Sequence, residues 1–178
     1  LVMEKVEFLI LRNLLYNEEY VRKVIPFIKA EYFEDFNQKV VFEEILNFVE
    51  EYNTPATKEV LCIETEKRQD INDSSFKEIT DLIGSLEDSP SEFNWLVETT
   101  EKWCRDRAIY LALMESIQLA DGKDESKGRD AIPSILSDAL AVSFDNHIGH
   151  DYLSDYEARY ESYHRKEDKI PFDLEYFD

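Results

Sequence analysis

The sequence predicts an all-α protein that consists of a small helical globule, a long helical hairpin and a separate C-terminal helix. Only 4 of the 178 residues are glycine and 5 are proline, which disfavours a fold rich in strands or turns. Hydrophobic residues make up 43% of the chain and include 11 Phe and 10 Tyr, enough for a buried core. Residues 91–121 form the longest helical pattern, with no Gly or Pro inside it.

The first ninety residues contain five amphipathic segments separated by helix-breaking residues. The predicted helices cover residues 4–16, 18–25, 36–52, 57–66 and a segment through Leu86 that Asp73 or Ser74 caps. Asn17 can cap the second helix, and Pro26 ends it because proline has no backbone N–H to donate. Aromatic and apolar side chains cluster at the next turn, at residues 27–33. Residues 4–90 are therefore predicted to form one helical globule.

A helical hairpin is predicted after residue 90. Ser91 can cap its first arm, and the polar stretch 122–130 turns the chain into a second helix at 131–144. Large apolar residues recur every seven positions from Leu96 to Ile117, which places an apolar stripe on one side of the first arm. A thin hairpin cannot cover this stripe, so we expect the rest of the chain or a second copy to cover it. The predicted self-association interface consists of Leu96, Trp103, Tyr110, Met114, Ile117, Ile135 and Leu136.

A further helix is predicted at residues 152–166, after a loop at 145–151. Its apolar stripe consists of Tyr152, Leu153, Tyr156, Tyr160 and Tyr163. Tyrosine combines a large apolar surface with a polar hydroxyl group and is enriched at protein interfaces. The stripe either packs on the domain that carries it or docks on a partner, and the residue pattern leaves both alternatives open.

The composition also restricts the partners of the chain. With 40 acidic and 20 basic residues, the net charge is −20 at pH 7. This charge repels phosphate backbones, so we expect the chain to bind nucleic acid weakly. Cys62 and Cys104 lie in separate helical patterns and are expected to be free thiols in a reducing compartment. No stretch predicts a membrane span.

Catalytic motifs are not recognisable, and the sequence predicts that this chain is not an enzyme. Its four glycines, at positions 84, 122, 128 and 149, are too dispersed for a phosphate-binding loop. The strongest metal candidate is the group Asp145, His147, His150 and Asp151. This group has no cysteine or third histidine beside it, which favours a polar loop over a metal site. No catalytic residue, cofactor or metal is therefore predicted.

Three stretches carry a family resemblance: FNWLVETTEKWCRDRA at 93–108, AIPSILSDALAVSFDNHIGHDYLSDYEARYESY at 131–163 and KIPFDLEYFD at 169–178. The most specific part is S-F-D-x-x-x-G-H-D at 143–151, followed by D-Y-E-A-R at 155–159. These stretches resemble the N-terminal region of the DnaB-like hexameric replicative helicases of T4-like bacteriophages. The first ninety residues match that family mainly in their helix pattern.

The resemblance implies a helical collar domain at 3–144, made of a globule at 4–90 and the hairpin at 91–144. It also implies a linker region at 145–178, whose helix at 152–166 docks on the motor domain of a neighbouring subunit. Collar domains of this family pair through their hairpins, and the ring is a hexamer. The implied partners are further copies of the chain, a primase and a helicase loader. Single-stranded DNA, ATP and magnesium would bind the motor domain, which this chain is expected to lack. The resemblance also implies that the protein acts in the cytoplasm of the host cell.

Two alternatives come from other functional classes. The first is a free-standing acidic helical adaptor that binds a basic protein partner. The second is a metal-dependent helical hydrolase built on His147 and His150, which a metal-content measurement would test. The extended segment at 169–178 reads as a connection to a further domain, and this favours the helicase-related hypothesis over the adaptor.

Overall fold

The computed structural model describes residues 2–122 and 127–144, and over these residues the protein is all-α, as predicted. Seven α-helices lie in the described part of the chain: α1 Val2–Tyr16, α2 Glu18–Val24, α3 Phe36–Tyr52, α4 Lys58–Glu66, α5 Asp73–Ser85, α6 Phe93–Ala120 and α7 Ile132–Leu140. Short 3₁₀ turns occur at Ile25–Phe27, Ala30–Tyr32 and Arg129–Ala131. The chain divides into two units, Leu1–Phe144 and Asp145–Asp178, and the second lies outside the described residues.

Side-chain caps explain where several helices begin. The side-chain oxygen of Asn17 accepts a hydrogen bond from the backbone N–H of Tyr20 at 2.9 Å, so α2 starts where the sequence predicted. Asp35 and Thr57 cap α3 and α4 in the same way. At the C-terminal end of α3, Asn53 adopts a left-handed conformation with φ of 53°, which stops the helix before Pro55.

Two predicted caps were wrong by one residue. The side chain of Asn72, and not that of Asp73 or Ser74, caps α5 by accepting from the N–H of Ser75 at 2.9 Å. Glu92 caps α6 in place of Ser91. Its carboxylate reaches the N–H groups of two residues in the first turn, and its negative charge suits the positive end of the helix dipole.

Helix α3 lies at the centre of the globule and packs against α1, α4 and α5. Its inward face is fully buried at Val41, Phe42 and Ile45. The loop between α4 and α5 is fastened to α3 by Arg68, whose guanidinium pairs with Glu43 and Glu44 at 2.9 Å each. Burial of this apolar face, at about 25 cal/mol per Å², is the main stabilising contribution to the arrangement.

The N-terminal half of α6 belongs to the same core as the globule. Leu96 and Cys104 are fully buried, and the ring of Trp103 packs against those of Tyr32 and Phe33 at centroid distances of 6.0 and 5.1 Å. The aromatic cluster predicted at residues 27–33 thus covers the first half of α6. Globule and hairpin therefore share one continuous core.

Helix α7 closes the hairpin by packing along the distal half of α6. It ends at Leu140, four residues earlier than predicted, and the chain returns to the globule in a non-helical segment. The ring of Phe144 stacks on Phe27 at 4.7 Å, and Arg105 Nε donates to the carbonyl oxygen of Val142 at 3.0 Å. The stacking holds the end of the second arm against the globule, and the hydrogen bond holds it against α6.

Candidate self-association surface

The distal half of α6 carries a row of exposed apolar side chains, which we call the α6 row. It consists of Tyr110, Leu113, Met114 and Ile117, with exposed fractions of 51%, 48%, 42% and 54%. Positions i, i+3, i+4 and i+7 lie on one face of a helix, so the four side chains form a continuous strip. Four large apolar residues exposed side by side mark a candidate interaction surface.

The structure divides the predicted interface residues into three groups. Leu96 and Trp103 lie in the core of their own chain and are not available at the surface. Tyr110, Met114 and Ile117 belong to the α6 row, whereas Ile135 and Leu136 are half-buried where α7 meets the core. The division follows from packing, since the globule covers only the first half of α6.

Leu113 was not among the predicted interface residues, although its side chain is nearly half exposed. The prediction followed a seven-residue repeat, which selects one side chain in every two helical turns. Leu113 lies three residues after Tyr110 and four before Ile117, and the 3.6-residue period of the helix places it on the same face. An i, i+3, i+4, i+7 search would have found it.

The distal half of α6 and the second hairpin arm carry few charges, although the chain as a whole is highly charged. Charged residues make up 34% of the sequence, yet residues 109–120 contain one, Glu115, and residues 131–144 contain one, Asp138. Glu115 is paired with Lys127 Nζ at 2.7 Å. Two copies of a chain with a net charge of −20 repel each other least where their surfaces carry least charge. The α6 row lies on such a surface.

Arg107 connects the core to the first residue of the α6 row. Its guanidinium is nearly buried, donates from Nε to the carbonyl oxygen of Tyr32 at 2.6 Å and pairs with the carboxylate of Glu34. The same group lies 5.0 Å from the ring centroid of Tyr110. A guanidinium over an aromatic face is attractive and restricts the ring. Arg107 therefore contacts Tyr32 and Glu34 in the globule and Tyr110 in the α6 row.

Cys62 is half-buried and Cys104 is buried. Both cysteines are free, as predicted, and burial raises the pKa of the Cys104 thiol to about 12 and that of Cys62 less strongly. Both thiols are therefore protonated at neutral pH. Within 2–122 and 127–144, no group of three or more His, Cys, Asp or Glu side chains could hold a metal ion.

Two predicted sites lie outside the described residues. These are the metal candidate Asp145, His147, His150 and Asp151, and the docking stripe Tyr152, Leu153, Tyr156, Tyr160 and Tyr163. Both remain predictions. In the part of the chain that the structure describes, no helix combines the length and the apolar character needed to cross a membrane.

The fold and the surface together define an all-α protein whose longest helix presents an exposed apolar face of low charge. Over 174 residues the chain is 35% identical to the DnaB-like replicative helicase of Enterobacteria phage T4. That match covers 93% of this chain and 36% of the helicase, so the chain spans a little over a third of the length of the curated relative it matches. This similarity confirms the resemblance that the sequence motifs indicated. No protein-family model matches the chain.

Proposed function

We propose that the chain is the N-terminal assembly domain, or collar, of a hexameric DnaB-like replicative DNA helicase. The observation that carries the proposal is the α6 row, an exposed apolar face on the hairpin of a chain with 35% identity to such a helicase. A contiguous exposed apolar face of this kind marks a candidate interaction site. A second copy of the same hairpin is the partner that the collar role requires.

In this proposal the collar pairs subunits, and the chemistry of unwinding belongs to another part of the protein. The motor domain would bind ATP and magnesium and grip single-stranded DNA. The helix at 152–166 would dock on the motor domain of a neighbouring subunit through its tyrosine stripe. A primase and a helicase loader would contact the assembled collar. Each of these roles is inferred from the family resemblance.

The low charge of residues 109–120 and 131–144 supports pairing through the distal part of the hairpin. Most of the 40 Asp and Glu residues lie outside these two stretches, and those that are exposed make other surfaces acidic. Bringing two such surfaces together places like charges opposite each other at a cost in binding free energy. Contact through the hairpin avoids most of this cost and buries apolar surface at the same time.

The direct test is Ile117→Asp, with Ile63→Asp as the matched control. Both isoleucines are helical and similarly exposed, at 54% and 53%, but Ile63 lies on α4, away from the hairpin. If the α6 row pairs two copies, Ile117→Asp buries a carboxylate there and raises the dimer Kd by roughly 30-fold or more. Ile63→Asp is expected to leave the Kd unchanged. Analytical ultracentrifugation measures the Kd, and circular dichroism checks that helical content survives.

A second substitution, Tyr110→Asp, is expected to shift the protein towards monomer in the same way. A native protein that stays monomeric at high concentration would reject pairing through this surface. Equal effects of Ile117→Asp and Ile63→Asp would reject it too, because they would reflect added charge alone.

A further inference from the structure

A small pocket lies on the globule between α2, the 3₁₀ turn Ile25–Phe27 and the end of α3, and we call it the α2–α3 pocket. It has a volume of about 250 Å³. Its apolar lining consists of Val21, Ile25, Pro26, Val49 and Pro55. Val21 is 2% exposed and lies deepest, whereas Ile25 and Val49 are half-buried. The described lining residues include none from α6 or α7, so the pocket is separate from the α6 row.

Local interactions fix the walls of the α2–α3 pocket. Asn17 caps the start of α2. Asn53 ends α3 in its left-handed conformation, and its backbone N–H donates to the carbonyl oxygen of Val49 at 2.8 Å. Pro26 and Pro55 restrict the backbone on the two sides of the pocket, because the proline ring fixes φ. Walls that are already ordered lose little conformational entropy when a ligand binds.

The size and lining of the pocket suit an amino-acid side chain. Pockets for drug-sized molecules and cofactors span about 300 to 1,000 Å³, and the α2–α3 pocket is smaller than that. Its lining is mainly apolar, with Asn53 and Thr54 as its neutral polar residues. Burial of an aliphatic side chain there would be favourable, in proportion to the apolar area removed from water. We therefore expect the occupant to be one aliphatic side chain of a partner segment.

The charges around the pocket are acidic on balance. Glu18 and Arg22 line it and pair with each other at 2.6 Å, so their charges largely cancel. Glu19 and Glu50 are exposed, and each directly follows a lining residue. Lys23 lies about 140° around α2 from Glu18 and therefore points away from the pocket. The local charge is thus negative, in a chain whose net charge is −20, and such a field attracts basic segments.

We propose that the α2–α3 pocket binds a basic segment of a partner protein, one that carries an aliphatic side chain between Lys or Arg residues. The aliphatic side chain enters the pocket, and the flanking cations lie near Glu19 and Glu50. Apolar burial supplies most of the affinity, and the charges supply selectivity and fast association. Binding at this pocket uses no residue of the α6 row and does not depend on the proposed pairing.

The test is an NMR titration of the ¹⁵N-labelled protein with three acetylated and amidated peptides, KKLKK, KKAKK and QQLQQ. We expect KKLKK to shift the backbone N–H signals of Val21, Ile25 and Asn53, with a Kd on the order of 1 mM. KKAKK should bind at least about tenfold more weakly, because it lacks the buried leucine side chain. QQLQQ should bind roughly three- to tenfold more weakly, because it lacks the cations.

Variants of the protein test the same assignment from the other side. Thr54 lies on the exposed rim of the pocket, so Thr54→Trp should fill it and remove the advantage of KKLKK over KKAKK. Ser74→Trp, at an exposed position on α5, is the matched control. Circular dichroism checks that helical content is unchanged in each variant.

The charge contribution is tested by Glu19→Gln combined with Glu50→Gln. This double variant should bind KKLKK about threefold or more weakly than the native chain. The matched control is Glu87→Gln combined with Asp88→Asn, which removes the same charge at exposed positions that do not line the pocket. The control should change the Kd little.

Equal affinities for KKLKK and KKAKK, or no shifts at about 10 mM KKLKK, would overturn binding at the pocket. Equal affinities for KKLKK and QQLQQ would overturn the basic character of the occupant. A raised dimer Kd in Thr54→Trp but not in Ser74→Trp would assign the pocket to a second copy of the chain, and this too would overturn the proposal. Failed peptide binding by a protein that still dimerises would reject the pocket assignment alone and leave pairing through the α6 row intact.

Discussion

Glu7 is a carboxyl group that is 1% exposed, beneath the segment that leads into α3. Burial raises the pKa of Glu7, while the hydrogen bond that it accepts from the N–H of Glu34 at 3.3 Å lowers it. The carboxylate of Glu34 raises this pKa and Arg107 lowers it, and the net direction is upward from 4.5. The folded state therefore binds more protons than the unfolded state above pH 4.5. The free energy of unfolding consequently falls as the pH rises through the folded-state pKa.

Replacing Glu7 by Gln should remove this pH dependence and keep the acceptor oxygen for the N–H of Glu34. We expect the unfolding free energy at neutral pH to stay the same or increase, and its decline above pH 4.5 to become shallower. Urea unfolding at pH 5, 6, 7 and 8 measures both quantities. Glu98→Gln, on the exposed side of α6, serves as the control. A decline with the same slope in Glu7→Gln and the native chain would contradict the assignment.

At the scale of the element, the start of α6 depends on a carboxylate cap. Glu92 accepts hydrogen bonds from the N–H of Asn94 at 3.1 Å and from that of Trp95 at 2.5 Å. Ser91, the predicted cap, instead accepts a hydrogen bond from Arg12 Nη2 at 3.3 Å and so ties α6 to α1. The two neighbouring residues therefore have different roles, one within the helix and one between helices.

Glu92→Ala should cost about 1 kcal/mol of stability, the usual contribution of a helix N-cap. Hydrogen exchange gives a sharper measurement, because the N–H groups of Asn94 and Trp95 lose their acceptor and should exchange faster. Ser91→Ala is the matched control and should leave exchange at these two positions unchanged. Faster exchange in Ser91→Ala than in Glu92→Ala would assign the cap to Ser91 after all.

At the scale of the whole molecule, charge and apolar surface act in opposite directions on self-association. In the proposed pairing, the net charge of −20 drives copies apart, and the sparsely charged α6 row favours their contact. Salt screens the first effect, since the Debye length falls from about 10 Å at 0.1 M to about 3 Å at 1 M. A complex between this chain and a basic partner would respond in the opposite way, because salt would screen its attraction.

Raising the salt concentration from 50 to 500 mM is therefore expected to strengthen self-association, lowering the dimer Kd by roughly three- to tenfold. Sedimentation equilibrium at several salt concentrations measures this. The Ile117→Asp variant, which lacks an intact α6 row, should gain little. Weaker association at higher salt would show that ion pairs hold the copies together, contrary to pairing through the hairpin.

The sequence by itself determined the local structure of this protein. Periodicity and helix-breaking residues are properties of neighbours in the chain, so α3 was predicted with its observed bounds, Phe36–Tyr52. Asn17 was identified as a cap for the same reason, since its acceptor atom and the donor N–H of Tyr20 are three residues apart. The low charge of residues 109–120 and 131–144, which marks the candidate surface, is also directly readable from the sequence.

Only the tertiary structure decided which part of the apolar stripe on α6 is buried. Trp103 and Tyr110 are seven residues apart and equivalent by periodicity, yet Trp103 is 4% exposed and Tyr110 51% exposed. The difference arises because Tyr32 and Phe33, some seventy residues earlier in the chain, pack on Trp103, and the globule does not extend as far as Tyr110. Burial depends on contacts between residues distant in sequence. A local pattern does not show which distant residues pack on a given side chain. The pattern therefore identified the stripe, and long-range packing divided it into core and exposed surface.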